Sequence, residues 1–214
     1  MKAILFDLDG VLIDSYEASY RALLNCFAKM KLTPPEKKAF LKKAGLPFDS
    51  WLREFLPAKN AENVYLVDDA AIMARQKYES FFLPILAKTF ENAPAVLKEL
   101  KSRGFKLGVV TNNSRSVAEK LLSRPELQGL FDVVVTSSDV TKPKPDSEPL
   151  LKAISYLELD KSVVAFVGDS LVDVQAANSA GVPFFLLKNP FNKTLKARRT
   201  KSLEHLLKLI AYGD

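Results

Sequence analysis

The sequence contains one cysteine, Cys26, and one histidine, His205. One thiol excludes an intramolecular disulfide. One thiol and one imidazole also fall short of a zinc site built from soft ligands. So little cysteine fits a reducing compartment, and a cytoplasmic location is expected. No run of about eighteen apolar residues occurs, so neither a membrane span nor a membrane partner is expected. The opening stretch meets its second acid at Asp9, which argues against a signal peptide. Internal repeats and low-complexity tracts are missing as well.

Apolar residues, in contrast, make up 48% of the 214 residues, enough for a sizeable core. The formal charge of +6 favours anionic ligands in general. Its densest run spans 193–201 and includes Lys196, Arg198 and Arg199. No aromatic interleaves with these charges, so no base-stacking platform forms and no nucleic-acid partner is expected. The run reads as a solvated loop before a last helix.

Five short, nearly continuous apolar runs lie at 3–6, 106–110, 132–135, 163–167 and 183–187. Their length and continuity suit strands buried on both faces. Helical patterns lie between most of them, at 95–103, 116–122, 148–157 and 171–180. Ser116 and Glu119 have capping-box spacing, and Gly181 would end the helix before it. Alternation of strand and helix predicts an α/β fold: a Rossmann-like parallel sheet covered by helices on both faces. The interval 15–90 differs, with helical patterns at 16–30, 36–44, 50–55 and 61–82 and no buried strand. It reads as an all-helical cap (15–90) inserted into a catalytic core of 1–14 and 91–214.

Three segments carry chemistry. Asp7-Leu8-Asp9-Gly10 follows the first strand. Two carboxylates about 4 Å apart repel by roughly 4 kcal/mol at an effective dielectric near 20. A bound cation relieves that repulsion; two solvated aspartates in a turn are the plainer reading. Thr111-Asn112-Asn113 ends the second strand, where a hydroxyl and free helix-start amides can cradle an anion or simply cap a helix. Gly168-Asp169-Ser170-Leu171-Val172-Asp173 follows the fourth strand. Its two carboxylates are hard oxygen ligands suited to magnesium, or else an N-cap pair. Open parallel sheets bind their ligands at such strand ends.

In combination these segments resemble the haloacid dehalogenase-like superfamily over nearly the whole chain. The resemblance rests on Asp7-Leu8-Asp9-Gly10-Val11 with its continuation to Ser15, on Thr111, on a Lys-Pro lysine, and on Gly168 through Asp173. The helical insertion is similar to the cap of the phosphoglycolate phosphatase and β-phosphoglucomutase branch. The resemblance implies an Mg2+-dependent phosphatase. Asp7 would be the nucleophile and Asp9 the general acid and base. Magnesium would be held by Asp7, Asp9 through its backbone carbonyl, and Asp169, with Asp173 in support. Thr111, Asn112 and a lysine would hold the phosphate. Both Lys142 and Lys144 precede a proline; counting back from Pro149 favours Lys144. Haloacid dehalogenases lack the second aspartate, so Asp9 favours phosphate esters.

The expected partner is a small phosphorylated metabolite, met by a monomer or homodimer. Phosphoglycolate, pyrophosphate, nucleotides and sugar phosphates all remain open. A sugar phosphomutase and an inactive binding module are the alternatives. Selectivity is expected in the loop 44–51, with Lys42, Lys43 and Arg53 as candidate anion contacts.

Overall fold

A computed structural model describes residues 1–57 and 64–211. Six parallel strands form the main sheet. They are β1 (Ala3–Phe6), β4 (Lys106–Val110), β5 (Val133–Val135), β6 (Val164–Gly168), β7 (Phe184–Leu187) and β8 (Arg199–Thr200), in the order β5-β4-β1-β6-β7-β8. A separate antiparallel pair joins β2 (Ile13–Asp14) to β3 (Lys88–Thr89).

Alternation along the central strand explains the layers. Ile4 and Phe6 point to one face, where they meet Val96, Leu97 and Leu100 of α6 (Ala93–Ser102), Val117 and Leu121 of α7 (Arg115–Leu122) and Leu206 of α10 (Leu203–Ala211). Ala3 and Leu5 point to the other, against Leu150 and Ala153 of α8 (Glu148–Tyr156) and Ala176 and Ala177 of α9 (Leu171–Ala180). The sheet therefore lies between two helical layers, as the strand-helix alternation predicts.

Between β2 and β3 the described residues are helical: α1 (Tyr16–Lys29), α2 (Lys37–Leu41), α3 (Phe48–Arg53), α4 (Val64–Lys77), a wide π-helical turn (Tyr78–Phe82) and α5 (Leu83–Leu86). They bury a core of their own around Leu23, Phe27, Phe40, Trp51, Leu52 and Ala71. Trp51 stacks on Phe40 at 4.0 Å between ring centroids and donates its indole N–H to the Phe40 carbonyl at 2.9 Å. The start of the helix expected over 61–82 lies outside the described residues. Among those described, no helix is long and apolar enough to cross a membrane.

Two expectations need correction. The basic run is not a solvated loop throughout, because Arg199 and Thr200 form β8 on the sheet edge, opposite Leu186 and Leu187. The Arg199 guanidinium donates to the carbonyls of Asn192, Lys193 and Leu195, and Arg198 lies over the Phe185 ring at 4.7 Å. A two-residue strand with one buried side chain, Thr200, is too short to show periodicity. Nor does Ser116 cap α7. Ser114 occupies the N-cap with extended backbone, the helix begins at Arg115, and Ser116 faces solvent in its first turn. Reciprocal boxes instead join Thr136 to Asp139 and Ser170 to Asp173.

Candidate active site

The register of β1 with both neighbours aligns three strand ends. Phe6 lies opposite Val109 on one side and Val167 on the other. β4 and β6 each run one residue further, to Val110 and Gly168, so the residues after the three strands, Asp7, Thr111 and Asp169, emerge together at the carboxyl edge, where the strand order reverses about β1.

Asp7, Asp169 and Asp173 are buried, and their ligand oxygens lie within 4.8 Å of one another. Lys144, 1% exposed, is the cation among them. Its ammonium reaches Asp7 Oδ1 at 2.9 Å, Asp173 Oδ1 at 2.7 Å and the Val110 carbonyl at 3.0 Å. Lys142 is exposed on the loop outside. Asp173 Oδ2 accepts from the Ser170 hydroxyl at 2.6 Å and from the amides of Asp169 and Ser170. Both Asp173 oxygens are thus already engaged. Gly168 makes room for this side chain, because a Cβ there would fall on the Asp173 carboxylate.

The electrostatics follow from that crowding. Burial, then the neighbouring Asp173, raises the Asp7 carboxyl well above its ordinary range. Burial and Asp173 also push Asp169 up to about 7, against the lowering effect of its hydrogen bonds from Tyr16 and Asn189. Desolvation acts to lower the Lys144 ammonium, but Asp173 and Asp7 outweigh it and hold it above the usual lysine range. One ammonium faces more carboxylates than it can neutralise. Among the described residues, the acids that could share an ion here are Asp7, Asp169 and Asp173, whose carboxylate oxygens fit a hard dication and not a thiophilic metal.

Asp9 stands apart from that cluster. Its Oδ1 accepts from the Ser15 hydroxyl and its Oδ2 from the Asn113 side-chain amide, each at 2.5 Å. Desolvation raises its carboxyl despite those two bonds. The Thr111 hydroxyl accepts from the Asn113 amide at 3.2 Å. Asn112 works through its side chain: Nδ2 donates to the carbonyls of Gly45 and Lys144, and Oδ1 accepts from the Lys144 amide. One side chain thus joins the sheet, the lysine loop and the helical segment. A cavity of about 50 Å³ lies between Asp7, Asp9, Thr111 and the Gly45, Trp51 and Tyr78 side of the helical segment.

Of the three candidate anion contacts, Lys43 pairs with Glu54 at 2.5 Å and Arg53 pairs with Asp68. Lys42 instead lines a 330 Å³ cavity beside Asp169, together with Lys38 and Lys193. Sequence reasoning gave Asn113 no role of its own and missed Tyr16, Asn189 and Asn192. Asn189 follows the end of β7, so the strand-end rule applied to the fifth apolar run could have found it. The reach of Tyr16 from α1 to Asp169 has no sequence signal.

The family model for haloacid dehalogenase-like hydrolases matches residues 4–187. The chain belongs to that family. As a haloacid dehalogenase-like hydrolase it is 36% identical to the pyrophosphatase PpaX of Bacillus velezensis, over 84% of this chain and 79% of the relative. It is 33% identical to the plasmid-borne phosphoglycolate phosphatase of Cupriavidus necator, over 87% of this chain and 80% of that protein. Among solved structures, a HAD-superfamily hydrolase of subfamily IA from Geobacter sulfurreducens is 30% identical with a TM-score of 0.69. That match covers 98% of this chain and 99% of the other.

Proposed function

We propose that this hydrolase is an Mg2+-dependent phosphatase of small phosphomonoesters, phosphoglycolate phosphatase-like, working through a phosphoryl group carried on Asp7. The observation that carries the reading is the buried cluster of Asp7, Asp169 and Asp173 around Lys144, with Asp9 held separately beside it. The names of the two relatives, a pyrophosphatase and a phosphoglycolate phosphatase, support phosphate chemistry and make pyrophosphate and phosphoglycolate the first substrates to try.

In this reading an Asp7 oxygen forms a bond to phosphorus as the bond to the leaving oxygen breaks. Asp9 gives its proton to that oxygen, a task suited to a carboxyl raised by desolvation. Asp9 then takes a proton from water as the water attacks phosphorus, releasing phosphate and restoring Asp7. Ser15 and Asn113 keep the Asp9 carboxyl aimed through both steps. Thr111, the Asn112 amide and Lys144 receive the phosphoryl oxygens. Asp7, Asp169 and the Asp9 carbonyl would hold the divalent cation, with Asp173 supporting. When bound, the cation supplies neutralisation of phosphoryl charge.

The helical segment 15–90 acts in this reading as a cap on a core of 1–14 and 91–214. The cavity between the strand ends and the cap is where a substrate's phosphate would meet Asp7. A cytoplasmic monomer or homodimer belongs to the same reading. The test is phosphate release from phosphoglycolate, pyrophosphate and a panel of sugar and nucleotide monophosphates. Release is expected with Mg2+ and not in excess chelator. Isomerised sugar phosphate without net phosphate release would replace the phosphatase with a mutase.

A further inference from the structure

Asp169 sits on a short side chain at a strand end, with two rotatable bonds before its oxygens. Holding one oxygen toward Asp7 requires outside support. Two side chains provide it on the same atom. The Tyr16 hydroxyl donates to Asp169 Oδ2. Asn189 Nδ2 donates to that oxygen at 2.7 Å and lies 3.2 Å from the Tyr16 hydroxyl, which it also meets as donor. Asn192 Nδ2 donates to the Asp169 carbonyl at 2.8 Å, so backbone and side chain are both tied to the loop after β7.

Tyr16 is held in turn. Its ring meets Phe191 edge-on at 5.5 Å between centroids. Gly10, with φ +75°, passes beneath the pair, and a Cβ there would fall on both the Asp169 carboxylate and the Tyr16 hydroxyl. Ser15 and Tyr16 are adjacent, yet they give their hydroxyls to carboxylates on different strands, Asp9 after β1 and Asp169 after β6. The start of α1 therefore orients one carboxylate for each half of the site.

We infer that Tyr16 and Asn189 are positioning residues that set the affinity of this hydrolase for its divalent cation. By engaging Asp169 Oδ2 they fix the orientation of a carboxylate that lies beside Asp7 and Asp173. The inference rests on the metal site proposed above. A merely structural tyrosine would need only its ring here, because the contact with Phe191 is made by the ring. The hydroxyl adds nothing to that packing, and its bond is to the carboxylate.

The test is direct Mn2+ binding to the full chain after chelator dialysis, read from the resonance of free Mn2+. Wild type, Tyr16→Phe, Asn189→Ala and Asp169→Ala are compared. Tyr16→Phe keeps the ring; Asn189→Ala removes the second donor, together with its bond to the Tyr16 hydroxyl and its acceptor for the Phe191 and Asn192 amides. Each should weaken Mn2+ binding by about tenfold, the usual effect of losing a ligand's outer partner. The Mg2+ midpoint for phosphate release should rise by the same factor, with the rate recovered in excess Mg2+. Unchanged or tighter Mn2+ binding in both variants overturns the inference, as does a rate loss that excess Mg2+ does not recover. Wild type without Mn2+ binding, or Asp169→Ala binding as wild type does, overturns the metal site and this inference together. Wild-type binding that Asp169→Ala abolishes, alongside unaltered Tyr16→Phe and Asn189→Ala, overturns the inference alone.

Discussion

Lys144 buries an ammonium among three acceptors, the Val110 carbonyl and the carboxylates of Asp7 and Asp173. Removing it leaves two buried carboxylates without their cation, a change that commonly costs about 3–5 kcal/mol. Lys144→Ala should lower the unfolding free energy by that amount, read as a lower urea midpoint at unchanged slope, and lose most phosphate release. Lys142 is exposed, and the Glu148 carboxylate meets its backbone amide, which alanine keeps. Lys142→Ala should stay within about 0.5 kcal/mol of wild type. Urea unfolding and steady-state kinetics on both variants check this. A large loss in Lys142→Ala beside a near-normal Lys144→Ala would reverse the assignment. The choice between the two lysines was open to counting, since Pro149 marks the first turn of α8. What counting could not reveal is that the ammonium lies within hydrogen-bond distance of two carboxylates of the site itself, Asp7 and Asp173.

At the scale of elements, the legible parts of the fold were those with enough residues to show a period. The five longer strands appear within a residue of the apolar runs. The edge strand Arg199–Thr200 and the pair Ile13–Asp14 with Lys88–Thr89 were not legible, because two residues carry no alternation. Caps were read by spacing alone, and spacing misled at Ser116. The box at Thr136–Asp139 went unread, although it anchors the turn after β5. There the Asp139 carboxylate accepts from the Thr136 amide and hydroxyl and pairs with Arg115 at 2.5 Å, which also ties α7 to this turn. Partial burial opposes ionisation, but Arg115 and Thr136 prevail and hold the carboxyl down at about 2. A carboxyl depressed on folding stabilises the native state above its ordinary range, and that stability is lost as pH falls toward the folded value. Asp139→Asn should therefore cost about 1 kcal/mol at neutral pH, discounted for partial exposure. The gap from wild type should narrow as pH drops from about 4 to about 2. Urea melts across that range check it, and a gap that widens in acid would contradict the ion-pair account.

For the molecule as a whole, the residues proposed for the site were more legible than the contacts that join them. Asp7, Asp9, Thr111, Asn112, Lys144, Asp169 and Asp173 were named from strand ends and motif order. The structure brings Asp7, Asp169, Asp173 and Lys144 into one buried cluster and sets the Asp9 carboxyl apart with Ser15 and Asn113. The contacts that tie this cluster to the rest were not legible, because they act across long chain separations. Asn112 reaches Gly45, and Tyr16 reaches Asp169. Phosphoryl transfer through Asp7 with help from a divalent cation is the claim on which the whole reading depends. Phosphate release by wild type and Asp7→Asn, each in Mg2+ and in excess chelator, tests it most directly. The expected result is release by wild type in Mg2+ alone, and a loss of at least about a thousandfold in Asp7→Asn with its thermal unfolding still cooperative. Full wild-type activity in chelator, or an Asp7→Asn variant retaining about a tenth of the rate, would contradict it.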